Sequence, residues 1–324
     1  MTWFYLSLLC IVGWGFADLF YKKGTDQNDK DSQYKIAIWV GLVMGICAFA
    51  LFPLSETLQS DFSIQNFLLS TLKYSPASLC YIISMVIGYA GLRYLEISIV
   101  SPVQNASGAF SMICMVLYFC LVGQTQKISD EVTTLNLIGT VFIVAGVIAL
   151  AIVEQRLSSK EETLSKENKK YKFGALALLF PILYCLFDTI GTAADGIILD
   201  EDTGLGLGEI DVIILYGLTF FVAGIIAWIY LLIKNKKAYN PFVKTEHNKW
   251  LAAGFEEIGQ IFYVYAMAKN PVLAAPMVAS YCILSVILSR IFIKEKLKVS
   301  QYVCVLSVIV GIVILGICDG IAEM

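Results

Sequence analysis

EQRLSSKEETLSKENKKYK, residues 154–172, is a charged interval without a long apolar run, and it divides the chain into two parts of the same kind. Before it lie apolar segments near 3–20, 35–53, 75–95, 99–121 and 133–153; after it come 173–192, 210–233, 249–268, 272–293 and 299–317. Each is about 18–24 residues long, enough for a helix to cross a hydrocarbon core about 30 Å thick. Of the 324 residues, 58% are hydrophobic and only 15% charged. A soluble protein of this size needs a larger polar shell. The expectation is an all-α polytopic membrane protein with ten transmembrane helices. Residues 1–153 and 173–324 form its two five-helix halves, and 154–172 is a helical or flexible connector without chemistry.

The charges supply an orientation. Loops taken alternately along ten spans separate the 23 Lys and Arg residues into 20 on one side and three, Lys73, Lys127 and Lys269, on the other. The positive-inside rule places the basic set in the cytoplasm. Both termini are then extracytoplasmic, the 154–172 connector is cytoplasmic, and the protein is a multi-pass protein of the cell membrane. The acidic stretch with Asp195, Asp200, Glu201, Asp202 and Glu209 falls on the outer side.

Other classes are poorly supported. The first segment lacks a positive region before it and a small-residue cleavage site, so it reads as a retained span rather than a signal peptide. The nine cysteines all lie in or at the ends of apolar segments without metal-ligand spacing, and read as small hydrophobes at helix contacts. Neither a metal nor an organic cofactor is expected. No basic groove with aromatic platforms suggests nucleic acid. His247, the single histidine, stands between Glu246 and Asn248 in a link, away from any nucleophile. A glycine-rich loop followed by Lys-Ser/Thr for ATP is missing, as is a repeated selectivity loop. No enzymatic constellation is found.

The two halves share a pattern. Trp14, Phe16 and Asp18 align with Tyr184, Leu186 and Asp188; Pro102 in SIVSPVQNAS aligns with Pro276 in VLAAPMVAS; AGVIAL at 145–150 is similar to VGIVIL at 310–315. Five helices per repeat force the second copy to enter from the opposite face, an inverted-topology duplication suited to alternating access about a midplane site. With GWGFAD in the first segment, GYAGLRYLEISIVSPV in the first half and IFYVYAMAKNPVLAAPM in the second, the chain resembles the drug/metabolite transporter superfamily, and within it the EamA-type ten-helix transporters. IFIKEKL at 291–297 is similar to that family's Gly-Glu-x-Leu turn, with Lys294 in the glycine place before Glu295; in the first half Gly123 is kept and Gln124 replaces the glutamate. The resemblance implies fold and transport class, not substrate. It also implies cytoplasmic termini, the reverse of what the charges argue.

An ionisable residue inside a span is costly unless it faces a cavity or a partner, so the mid-span acids carry most information. In WLAAGFEEIGQIFYVYAMA, Glu256 and Gln260 are four residues apart and Gln260 and Tyr263 three, which puts them on one helix face. Glu257 points about 100° away, toward a neighbouring helix. Burial disfavours an ionised carboxyl, so Glu256 can carry a proton or be neutralised by a cationic solute. Asp188 lies deep in its segment after Pro181, which can kink the helix; Asp18 lies nearer a membrane face and reads either as a site residue or as an interfacial partner of Lys22. Trp14 and Tyr184, one turn from Asp18 and Asp188, suit cation–π contact or plain packing. Gln104 and Asn105 in the fourth segment, and Tyr281 in the ninth, either orient a ligand or join helices.

The expected function is secondary active transport of a small cationic or zwitterionic organic metabolite across the plasma membrane, proton-coupled, by alternating access. The candidate binding and coupling set is Glu256, Glu257, Gln260, Asp188, Asp18, Tyr263, Trp14, Tyr184, Asn105, Gln104 and Tyr281. The alternatives are a neutral sugar or nucleoside with the acids serving proton coupling, and a non-transporting membrane sensor or scaffold. Expected partners are the solute, protons and lipid, for a monomer or loose homodimer.

Overall fold

In this computed structural model every residue is described except 1, 27, 28, 56, 57, 59–63, 96, 126, 127, 129–131, 165–176, 178, 201, 237, 295–297, 323 and 324, together with the side chains of 98, 99, 154, 155 and 157–164. Part of the connector, Glu201 of the acidic stretch and Glu295 of the turn motif therefore lie outside the described residues.

The described chain is helical. The first half holds α1 (Trp3–Gly24), α2 (Ser32–Leu51), α3 (Ile64–Gly91), α4 (Ile97–Asn105), α5 (Ser107–Leu121) and α6 (Thr134–Leu164). The second holds α7 (Leu179–Ile198), α8 (Glu209–Asn235), α9 (His247–Lys269), α10 (Pro271–Ala279), α11 (Tyr281–Leu288) and α12 (Val299–Ala322). The backbone of α6 continues past residue 153, so the first part of the connector is helical. Eight helical segments are long and apolar enough to cross a membrane. α3 and α9 have the length but more polar sequences.

The fourth segment of each half is broken rather than continuous. α4 gives way to α5 at Ala106, and α10 to α11 at Ser280, each four residues after a proline, Pro102 and Pro276. Bonds spanning three residues tighten both junctions, Ala109 N to Ala106 O at 3.2 Å and Ile283 N to Ser280 O at 2.9 Å. α10 starts firmly: Pro271 stands at its first position, and the Asn270 side chain caps it by accepting from Leu273 N at 3.0 Å.

The helices pair in a reciprocal way. α1 packs chiefly on α9 and α3 on α7, while α2 packs on α8 and α6 on α12. Exchanging the halves exchanges the first two pairs and leaves the last two in place. Small residues permit two of these contacts. A Cβ on Gly13 would come within 2.7 Å of Gly259 N, and one on Gly41 within 2.4 Å of Phe220 O. In an environment where lipid tails are as apolar as leucine, such close backbone packing is a main source of helix association.

The links gather on two faces. On one, Lys22 Nζ donates to Leu92 O at 2.7 Å, Asn248 Nδ2 donates to Lys23 O, Lys234 pairs with Asp31, and Lys23 lies over the Phe292 ring. On the other, Thr2, Asp200, Glu209, Lys269 and Asp319 surround one opening, and Ser55 bonds to Asp211. Lys294 closes the π-helical turn Ser289–Ile293 with φ of 62°, a left-handed conformation that glycine takes most readily. Gly123, at the matching place in the first half, has φ of 84°. The lysine thus keeps the left-handed backbone that Gly123 has in the first half.

Candidate functional site

Between the halves lies a narrow cavity of about 60 Å³, to which α1, α3, α4, α5, α7, α8, α9, α10 and α11 all contribute lining. Of the residues singled out from sequence, Trp14, Asp18, Gln104, Asn105, Tyr184, Asp188, Glu256, Gln260, Tyr263 and Tyr281 line it. Glu257 does not. It is buried elsewhere on α9, beside Cys47 of α2.

The broken fourth segment delivers one hydroxyl to each half's leading acid. Ser101 Oγ on α4 donates to Asp18 Oδ2 at 2.6 Å, and Ser107 Oγ on α5 donates to Asp188 Oδ2, also at 2.6 Å. Asn105, beside the break, donates back to Ser101 O at 2.8 Å. The interfacial reading of Asp18 thus gives way to a cavity-lining one, while the Lys22 ammonium is taken by the carbonyls of Leu92 and Leu95. Glu256 stands one turn before Gln260 on α9 and shares the lining with Tyr21.

Two buried donors of the lining have no partner among the described residues: Trp14 Nε1 and Gln260 Nε2. Orphaned buried donors are uncommon and call for an explanation, such as an acceptor that arrives with a ligand. Trp14 is held between Tyr263, with ring centroids 5.1 Å apart, and Tyr281, at 5.5 Å.

Sequence reasoning missed the tyrosines. Tyr21, Tyr81, Tyr89 and Tyr216 join Tyr184, Tyr263 and Tyr281 in the lining. Tyr89 OH donates to Tyr21 OH at 3.2 Å toward the basic face, and the hydroxyls of Tyr81 and Tyr263 lie 2.7 Å apart. Asp195 was expected in an outer acidic stretch. It is instead fully buried in α7, where it accepts from Tyr74 OH at 3.1 Å. The signal for it was the helical spacing of Asp188, Thr192 and Asp195, which puts all three on one face. Among the described residues no group of His, Cys, Asp and Glu is arranged to hold a metal ion.

Residues 203–317 match the model of the EamA-like transporter family. The match lies within the second half of the chain. That family belongs to the drug/metabolite transporter superfamily, in agreement with the resemblance read from the motifs, and the eight helical segments long and apolar enough to cross a membrane suit a multi-pass membrane protein. The EamA-like match takes in α8–α11 and most of α12, and with them Glu256, Gln260, Tyr263 and Tyr281 of the cavity. No curated protein matches the chain. A solved crystal structure is similar over 99% of both chains with a TM-score of 0.59 at 10% identity, a likeness of fold alone.

Proposed function

We propose that the protein is a secondary transporter in which two inverted five-helix repeats, ten crossings in all, close alternately over the central cavity. Its solute is a small cationic or zwitterionic organic metabolite, and a proton is the coupling ion. The observation that carries this reading is convergence: Asp18, Asp188 and Glu256 meet at one cavity whose described lining contains no lysine or arginine. Such a site favours an ammonium group electrostatically and disfavours a free anion. The orphaned donors of Trp14 and Gln260 ask for acceptor atoms in the same solute, which favours a zwitterion or hydroxylated amine over a bare alkylamine. The tyrosines add ring faces for the cation.

Inverted topology is supported by the reciprocal pairing of α1 with α9 and of α3 with α7, together with the matched breaks at Ala106 and Ser280. Location in the cell membrane with both termini outside rests on the basic bias of one set of loops. A neutral sugar or nucleoside is the second reading, favoured by the hydroxyls and amides of Tyr81, Tyr89, Gln104 and Asn105 around the cavity; the acids would then serve coupling alone.

The deciding experiment is flux into vesicles under an imposed proton gradient, with candidate solutes first selected by thermal shift among amines, amino acids, sugars, nucleosides and organic anions. Glu256→Gln should nearly abolish proton-driven uptake while leaving folded protein in the membrane. Unchanged uptake with unchanged pH dependence would remove Glu256 from the mechanism, and stabilisation by organic anions alone would reject the electrostatic argument.

A further inference from the structure

Asp195 stands outside the cavity lining, behind the wall formed by Tyr81, Thr192 and Tyr263. It is near the end of α7, and the residues that follow, Leu199 and Asp200, line the opening on the face that carries the termini. The carboxyl therefore lies between the cavity and that opening.

Its hydrogen bonds can be counted. Tyr74 OH donates to Oδ1. Tyr81 OH donates to Thr192 Oγ1 at 3.2 Å, and with that hydrogen used, the 2.7 Å contact between Tyr81 and Tyr263 takes the hydrogen of Tyr263. Each phenol has one hydrogen to give. All three are spent, and Oδ2, fully buried, is left without a partner among the described residues. A bare carboxylate oxygen in that position is expensive, whereas a protonated one supplies its own hydrogen to a neighbouring phenol oxygen.

We propose that Asp195 is a proton-binding site that latches the cavity on the side of the termini. Neutral, it leaves the Tyr81–Tyr263 bond between α3 and α9 intact. When the proton leaves Oδ2 for water in the opening, the carboxylate needs a second donor, and Tyr81 and Tyr263 are the hydroxyls at hand. A hydroxyl turned to Asp195 no longer donates across the bridge, and the two halves part there. The other titratable groups facing Asp195 are Asp188 on its own helix, Tyr74 and Tyr81 on α3, Tyr216 on α8 and Tyr263 on α9.

The latch rests on the alternating-access reading, but its test needs no solute. A thiol introduced by Val278→Cys in the lining is labelled in vesicles by a membrane-impermeant reagent applied from the face of the termini, and mass spectrometry locates the label among the native cysteines. Labelling should rise several-fold with pH in the otherwise native chain, stay low at every pH with Asp195→Asn, and stay high at every pH with Tyr263→Phe. An Asp195→Asn protein that follows the native pH curve overturns the proposal. Should that variant not fold, a Tyr263→Phe protein that keeps the native pH curve overturns it equally. Infrared spectroscopy at neutral pH should show a protonated carboxyl band that Asp195→Asn diminishes; an undiminished band also overturns it. A pH-switched label in a protein that moves no solute would keep the latch and reject the transporter reading.

Discussion

Glu256 and Glu257 are neighbours in sequence that face different surroundings: the first lines the central cavity together with Tyr21, the second lies beside Cys47 on α2. Both are buried, at 9% and 7% exposure, so burial alone does not distinguish them. Their partners do. Glu257→Gln should retain most of the native uptake, and Glu256→Gln should not. Equal loss of flux in the two variants, at equal amounts of folded protein, would show that Glu257 also reaches the solute.

The α1–α9 contact depends on backbone meeting backbone at Gly13 and Gly259. A methyl group on Gly259 would fall 2.3 Å from Trp14 Cδ1, and one on Gly13 2.7 Å from Gly259 N. Overpacking of this kind costs about 1–3 kcal/mol. Gly13→Ala should lower the midpoint of thermal unfolding in detergent, whereas Gly254→Ala, with open space at the Cβ position, should not. Equal midpoints for the two variants would contradict the packing.

Asp31, just before α2 on the basic face, supplies a pH dependence outside the membrane. Burial raises its carboxyl, but hydrogen bonds from Lys234 and Asn235 and the charges of Lys234 and Lys35 outweigh that effect and hold it below the ordinary range. A lowered acid stabilises the folded state above its unfolded value of about 3.9 and loses that contribution as pH falls through the folded one. Asp31→Asn should therefore lower the unfolding midpoint at pH near neutral and have little effect under strongly acidic conditions. A penalty independent of pH would mean that packing rather than charge is lost.

Orientation is tested by cysteines placed at exposed positions on the two faces, Thr245→Cys on the basic face and Gly320→Cys near the C-terminus. With the basic loops inside, an impermeant reagent applied to intact cells should label position 320 and spare 245. The reverse pattern would turn the molecule over and leave the helix pairing untouched.

The spans and the mid-span acids were legible because an apolar run and a charge within it are visible one residue at a time. Glu256, Gln260 and Tyr263 needed only helical spacing within one segment. The tyrosine lining was not legible, since Tyr21, Tyr81, Tyr89 and Tyr216 come from three helices whose relative rotation no single segment specifies. Asp195 was misplaced because the acids after it belong to a link, and the helix was ended too early to include it. The breaks at Ala106 and Ser280 left a trace in the matched prolines, but their purpose, handing Ser101 and Ser107 to different acids, shows only in three dimensions.

α9 carries Glu256 and Gln260 of the site, and it is one of the two long helices that fall short of a membrane-spanning hydropathy. That shortfall bears on biogenesis. A helix with two glutamates and a glutamine in its body partitions poorly into lipid by itself. Its main packing partner, α1, precedes it in the chain, so the surface that packs against it exists long before α9 is synthesised. A nascent chain that lacks α1 should therefore stall at the insertion of α9.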